Sequence, residues 1–345
     1  MPGIAVESTL MFREAGEASE AVRRQRAANA ATLARLGDRL RREPPRAVVT
    51  LARGSSDNVA TFGRYLIERR AHVLTSSASP SVASVYDAGP DMTDALVLVI
   101  SQSGRSPDLL AAAEQAKAHG ALLVALVNDE ASPLAGLADT CLPLAAGPER
   151  SVAATKSFIA SLAAMLDLLG AWTEDKMLAA ALDDLPDLLD RAWQLDWSPA
   201  LPLLAGAEHL YSVARGHGFG IAQEAALKIK ETCGFHAEAF SAAEIRHGPM
   251  AIVDKGFPVL LFGQSDESRE SVAALAADFA ARGAAVIHAG LSDVPGLALP
   301  VIKADPLIEP VLQAECFYRL ANALAVVRGR NPDRPPHLAK VTETV

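Results

Sequence analysis

The 345 residues contain only three cysteines, Cys141, Cys233 and Cys316, scattered along the chain with no C-x-x-C pair. An odd, dispersed set makes no disulfide framework and lacks zinc-knuckle spacing, which points to a reducing compartment. Histidine is also scarce, eight in all, with no pair at metal-ligand spacing. No metal and no cofactor are expected. No apolar run approaches the roughly 20 residues a membrane-spanning helix needs, and the N-terminus has no apolar core of signal-peptide type. Glu14, Glu17 and Glu20 precede the Arg-rich stretch 23–46, so that stretch reads as a solvated amphipathic helix rather than a transit peptide. A cytoplasmic protein without membrane contact is the expectation. Positive charge is in deficit, with 32 Lys and Arg against 41 Asp and Glu, a net charge of −9. That argues against a nucleic-acid partner, although backbone N–H groups and a few local cations can still hold an anionic metabolite.

What the chain does have is apolar material: half its residues are hydrophobic and 21% are charged, enough for sizeable cores. Its length suggests about two domains. Buried-strand runs at 47–51 (AVVTL), 95–100 (ALVLVI) and 122–127 (LLVALV) alternate with helical patterns, one over 58–69 and one starting at Pro107, where proline suits the first helical position. Such alternation predicts a parallel α/β sheet covered on both faces. Runs at 209–213 and 258–262 repeat the scheme. Arg53 and Arg215 stand 162 positions apart, and so do Gln102 and Gln264. A shared offset at two landmarks marks an internal duplication, joined through a helical segment around 157–197. The expected organisation is a helical lead (1–46), a first domain (47–200), a second domain (201–330) and a tail (331–345).

The first half offers a phosphate grip. Ser101-Gln102-Ser103-Gly104-Arg105-Ser106 lies between a buried strand and a helix N-terminus, where orphan N–H groups and the positive dipole end favour anions. Gly104 permits close backbone approach. Ser55 and Ser56 occupy the equivalent place after the preceding strand. One serine-rich loop could merely cap a helix, but two neighbouring ones favour phosphate. In the second half, Gly263-Gln264-Ser265-Asp266-Glu267 puts carboxylates where the donors would be, so one phosphate site per chain is expected.

Glu224, Lys228 and Glu231 recur at i, i+4 and i+7, on one face of a helix over 221–231. They could be a surface ion pair or a polar stripe at a site, with Glu231 moving a proton between adjacent sugar carbons. His247 precedes Gly248-Pro249, which places its imidazole on a loop, where it is either simply a solvated side chain or the group that opens a sugar ring by proton transfer. Lys340, in the tail, is either solvated or, if desolvated, able to form a Schiff base with a ketose carbonyl.

Several stretches, ARGSSDN (52–58), SQSGRSPD (101–108), GPERSVAATK (147–156), EAALKIKE (224–231), HAEAFSAAEIRHGP (236–249) and HLAK (337–340), together resemble the sugar isomerase (SIS) family, and within it the isomerase half of glucosamine-6-phosphate synthase. The resemblance runs from about Ala47 to Lys340. It implies two tandem SIS domains of flavodoxin-like topology, usually dimeric. By the same resemblance Ser56, Ser101, Gln102, Ser103 and Ser106 hold the phosphate, and Val152 and Ala339 contact the sugar through backbone atoms. Glu231 matches the proton-transferring carboxylate with Lys228 beside it, His247 the ring-opening histidine (often supplied across a homodimer interface), and Lys340 the Schiff-base lysine. Glu224 joins them as a sugar-side residue.

Three departures stand out. The family's synthase carries a glutaminase domain with a cysteine next to the initiator Met, whereas here Pro2 follows Met1 and a short helical lead precedes the first strand. Glutamine hydrolysis is therefore not expected. Pro336 and His337 stand where Arg and Asn are usual, and Ser106 stands for Thr. The leading expectation is a deaminase/isomerase converting glucosamine 6-phosphate to fructose 6-phosphate plus ammonia. Aldose–ketose isomerisation of a phosphosugar without nitrogen chemistry is the alternative, and a non-catalytic sugar-phosphate sensor the third reading.

Overall fold

The computed structural model describes residues 4–340; Pro2 lies outside them. The chain divides into two compact units that interleave in sequence. One contains residues 20–149, 156–183 and the tail from 339; the other contains the chain up to Ser19, residues 150–155 and residues 184–338.

Each unit is built on a five-stranded, all-parallel sheet. In the first the strands are β1 (Ala47–Leu51), β2 (Thr75–Ser77), β3 (Ala95–Ser101), β4 (Leu122–Val127) and β5 (Thr140–Pro143), in the spatial order β2-β1-β3-β4-β5. The second uses β6 (His209–Ala214), β7 (His236–Ser241), β8 (Pro258–Phe262), β9 (Ala285–Ala289) and β10 (Leu297–Leu299), in the order β7-β6-β8-β9-β10. Both are the 2-1-3-4-5 order of flavodoxin-like sheets. β1 and β6 start 162 positions apart, β3 and β8 163, so the duplication read from two side chains holds for the strands.

The strands form where the sequence is continuously apolar, because parallel strands are covered on both faces. All seven residues of β3 are buried. Val97, Val99, Leu123 and Ala125 pack with Leu109, Ala113 and Ala116 of the helix Pro107–Ala118. In the second unit Val213, Val259 and Leu261 pack with Val272, Leu275 and Phe279 of the helix Arg269–Ala281. Among the described residues no helix is long and apolar enough to cross a membrane.

Two helices differ from the pattern-based reading. The helix expected over 58–69 runs from Ser55 to Arg70, because Gly54 turns the chain at φ 57, ψ −131 and the helix begins at once. That backbone conformation is open to glycine and costly for other residues. The helix expected over 221–231 is α-helical only from Phe219 to Lys228 and continues as a π turn, Ile229–Cys233, closed by Gly234 at φ 67. Within that turn the Thr232 hydroxyl donates to the Lys228 carbonyl.

The Arg-rich lead is not merely solvated. In the helix Ala18–Arg42, the Arg26 guanidinium donates to Asp167 (3.1 Å), to Asp183 (3.0 Å) and to the Leu182 carbonyl (2.6 Å). Burial pushes the Asp167 carboxyl up to about 6, against the downward pull of Arg26. The folded state therefore binds this proton more tightly than the unfolded chain, and folding is favoured by protonation. Relative to an Asp167→Asn variant, the wild type should gain stability as pH falls from 7 towards 4, by up to about 3 kcal/mol at 1.36 kcal/mol per unit. Chemical denaturation of both proteins across that range checks the sign; a pH-independent difference would remove the buried-charge account.

Candidate active site

In an open parallel sheet of this order the strand carboxyl ends at the switch point, between β1 and β3, form the ligand crevice. β1 and β3 pair directly in register, so the loops that follow them are neighbours. Arg53, just after β1, donates through Nε and Nη2 to Asp108 Oδ2 at 2.9 and 2.8 Å, tying the first loop to the start of the helix Pro107–Ala118. Asp108 is buried. Arg105 reaches Asp129 Oδ2 at 2.8 Å and holds that carboxyl below its usual value. The loops thus carry two cations, each steadied by an aspartate.

The serines do not behave as helix caps. Ser106 is the N-cap residue of the helix Pro107–Ala118, yet its side chain makes no capping hydrogen bond. Ser55 and Ser56 lie inside the first turn of their helix, whose N-cap is the glycine at 54. The Ser101 hydroxyl accepts from Gly104 N (3.0 Å) and the Ser103 hydroxyl from Arg105 N (3.3 Å). A hydroxyl that accepts keeps its own proton to donate. These bonds curl the 101–106 loop around Gly104, at φ 63. A Cβ there would meet Ser132 Cβ at 2.7 Å and Val127 Cγ2 at 2.8 Å, so both the dihedral and the space require glycine.

The same crevice in the second unit is already filled. Glu309 sends its carboxylate to the loop after β8, accepting from Ser265 N (2.6 Å), Ser265 Oγ (2.9 Å) and Ala304 N (3.4 Å). Asp266 accepts from Ser268 N and Oγ, while the Gln264 amide donates to the Arg215 carbonyl. In this unit the loop after β8, the counterpart of the 101–106 loop after β3, is thus bound to a carboxylate of the protein itself. Glu309 lies 44 positions beyond Ser265, which is why the loop's own sequence told only half of this.

In the second unit Lys228 sits between two carboxylates. Its Nζ donates to Glu231 Oε2 and lies 3.5 Å from Glu224 Oε1. Lys228 and Glu224 are each 1% exposed, which excludes a surface ion pair. Tyr318 donates its hydroxyl to Glu224 at 2.9 Å, a contact across 94 positions that the sequence did not signal. The Glu231 side chain, on the π turn, keeps 22% of its surface accessible. The stripe is thus a buried ammonium holding one buried and one accessible carboxylate.

His247 ends a short 3-10 turn, Glu244–His247, anchored by buried Ile245. Its imidazole is exposed, and Gly248 at φ 147 turns the chain beyond it. Val152 donates its N–H to the Asp333 carbonyl at 3.3 Å. Asp333 also accepts from Leu10 N and Met11 N, both at 2.8 Å, at the N-terminus of the helix Leu10–Ala15. Ala339 is exposed. Lys340 Nζ lies 3.4 Å from Glu149 Oε2, and that carboxylate, fully buried, accepts from Ser157 Oγ (2.6 Å) and Ser157 N (3.2 Å) at the start of the helix Lys156–Thr173. Glu149 stood inside the GPERSVAATK stretch, but its pairing with a lysine 191 positions away needed the fold.

Comparison with known proteins bears on the whole arrangement. The SIS domain model matches residues 43–169 and 203–296. A glutamine–fructose-6-phosphate aminotransferase (isomerizing) from Aeropyrum pernix is 36% identical over 307 residues, 83% of this chain and 49% of that protein. The chain thus spans about half the length of the curated relatives it matches. A crystal structure of a candidate phosphosugar isomerase from Silicibacter pomeroyi superimposes with a TM-score of 0.90 at 43% identity, covering 94% of this chain and 100% of that one. Glucosamine-6-phosphate deaminase from Thermotoga maritima, at 22% identity and a TM-score of 0.73 over 97% of this chain and 100% of that one, shares the fold. With the model matching β1 to β5 and β6 to β9, and a relative covered over 100% of its own length, the chain belongs to the SIS-domain family.

Proposed function

We propose that the chain is a phosphosugar isomerase of the SIS type that acts as a deaminase, converting glucosamine 6-phosphate and water to fructose 6-phosphate and ammonia. The observation that carries this reading is the asymmetry between the two crevices. One is a serine loop with donors to offer; the other is closed by Glu309. Membership of a family whose matched relatives are named as isomerizing aminotransferases and a phosphosugar isomerase supports the sugar phosphate as ligand.

In this reading Ser56, Ser101, Gln102, Ser103 and Ser106 hold the phosphate, and Val152 and Ala339 meet the sugar through their backbones. His247 transfers the proton that opens the ring, and a homodimer partner can supply it. Glu231 then takes the proton from C2 and returns it to C1, leaving an imine at C2; addition of water releases ammonia. Lys228 fits the task of steadying Glu231 in both protonation states, with Glu224 and Tyr318 fixing the lysine. Lys340, steered by Glu149, can take the place of water in attacking C2 of the imine, expelling ammonia and forming the Schiff base of the ketose, which water then hydrolyses to fructose 6-phosphate and the free lysine. The competing reading, aldose–ketose isomerisation without nitrogen, uses the same proton transfer and differs only in the substituent at C2.

Incubation of the pure protein with glucosamine 6-phosphate should release ammonia and fructose 6-phosphate one for one. Folded protein that releases none refutes the deaminase. Interconversion of two neutral sugar phosphates then identifies the isomerase, and product formed only from fructose 6-phosphate plus glutamine identifies an aminotransferase.

Two variants test the assignments. Glu231→Gln should lower kcat by about 10²–10⁴, the usual worth of a positioned acid–base group, with KM changed only a few-fold; full activity would remove Glu231 from the proton path. Gly104→Ala forces a strained dihedral and a clash of the loop with Ser132 and Val127. It should raise KM at least tenfold and cost about 1–3 kcal/mol of stability. Unchanged KM and melting temperature would argue that this loop does not hold the phosphate.

A further inference from the structure

In the second unit two cations close to Glu231, Lys230 and Arg330, have no part in the sugar-phosphate reading. A groove of about 530 Å³ opens beside Glu231, with Lys230, His236, Arg330 and His337 in its walls. Glu231, the one carboxylate in the lining, is already engaged by Lys228. The groove is therefore cationic in a chain whose net charge is −9.

Two arginines near this groove differ in what they do. Arg328 is structural: its guanidinium donates to the carbonyls of Cys233 (3.0 Å), Ala205 (2.7 Å) and Ala207 (2.9 Å), and its Cζ lies 4.4 Å from the centre of the Phe235 ring. Arg330, two residues on, makes one long contact, to the Gly234 carbonyl at 3.4 Å. Among the described residues neither Arg330 nor Lys230 has an ion-pair partner. Arg330 is nevertheless seated rather than loose. A Cβ on residue 234 would lie 2.0 Å from its Cζ, and residue 234 also holds φ 67. Only glycine closes the π turn there and leaves the guanidinium its place. Across the groove His337 stands in the left-handed backbone region at φ 65, unusual for a residue other than glycine.

We propose that this groove is a second anion site, in which Lys230 and Arg330 take a phosphate or carboxylate group of a small molecule beside the Glu231 carboxylate. Arg330 offers a planar fork of donors and Lys230 a point charge, a combination that suits either group. Such an anion is a separate metabolite, because glucosamine 6-phosphate carries only the one phosphate assigned to the serine loop. The site goes beyond the sugar-phosphate reading and does not depend on it.

Inorganic phosphate, titrated calorimetrically into the whole protein, is the probe. The wild type should bind two phosphates per chain. Lys230→Gln combined with Arg330→Gln should weaken one of them at least tenfold, as charge-assisted hydrogen bonds are lost. Ser103→Ala combined with Ser106→Ala should remove the other. Lys230→Glu, a change on an exposed side chain, should reproduce the first loss without disturbing the contact at Gly234. A single phosphate that survives the Lys230 and Arg330 changes overturns the proposal and leaves the serine loop standing. A single phosphate that survives the serine changes but not the Lys230 and Arg330 changes upholds it and refutes the loop. Kinetics with glucosamine 6-phosphate add a second check. Loss, in the Lys230 and Arg330 variants, of the effect of added phosphate on the rate supports a separate metabolite in the groove, whereas a KM raised at least tenfold puts the substrate's own phosphate there and overturns the two-site assignment.

Discussion

The approach of Gly104 to Ser132 and Val127 is the contact on which the serine loop 101–106 depends. β3 is buried along its whole length, so its polar chemistry can begin only where the strand ends. There the chain must reverse into the helix at Pro107 within a few residues. It does so through a left-handed glycine whose missing side chain leaves room for β4 and the loop behind it. The Ser101 and Ser103 hydroxyls accept from the backbone of that turn and keep their own protons to donate. The Arg53–Asp108 pair fixes the neighbouring loop to the same helix.

The duplication makes the comparison between units informative. Two sheets of one strand order present two equivalent crevices, and the chain has filled one with its own carboxylate. Glu309 satisfies Ser265 N and Oγ much as a bound anion would. Elsewhere in that unit the sequence is spent on Lys228, buried between Glu224 and Glu231, an arrangement that costs desolvation unless each charge is paired. Tyr318 supplies a further hydrogen bond to Glu224. One unit thus offers hydroxyl donors, and the other holds a buried lysine between two carboxylates.

Five of the ten strands, β1, β3, β4, β6 and β8, were legible as continuous apolar runs, which leave little choice in a parallel sheet, whereas β2, β5, β7, β9 and β10 were not read from the pattern. β1, β4 and β8 fall on the residues read from the pattern. Helix boundaries were less so. The start at Ser55 was missed since Gly54, not the first apolar residue, sets it, and the π turn at 229–233 was missed since periodicity assumes a uniform helix. Lys228 and Glu231 nevertheless met as expected, because they are close neighbours on one turn.

The sequence by itself determined the α/β class, the duplication at an offset of 162, the serine loop and the set of chemically capable side chains. These depend on local pattern: strand hydrophobicity, turn residues and short-range spacing. Only the tertiary structure decided which of those side chains are buried and what faces them. Glu309 against Ser265, Tyr318 against Glu224, Glu149 against Lys340 and Arg330 against Gly234 join residues 44 to 191 positions apart. Such pairings follow from how whole elements pack, which spacing along the chain does not encode.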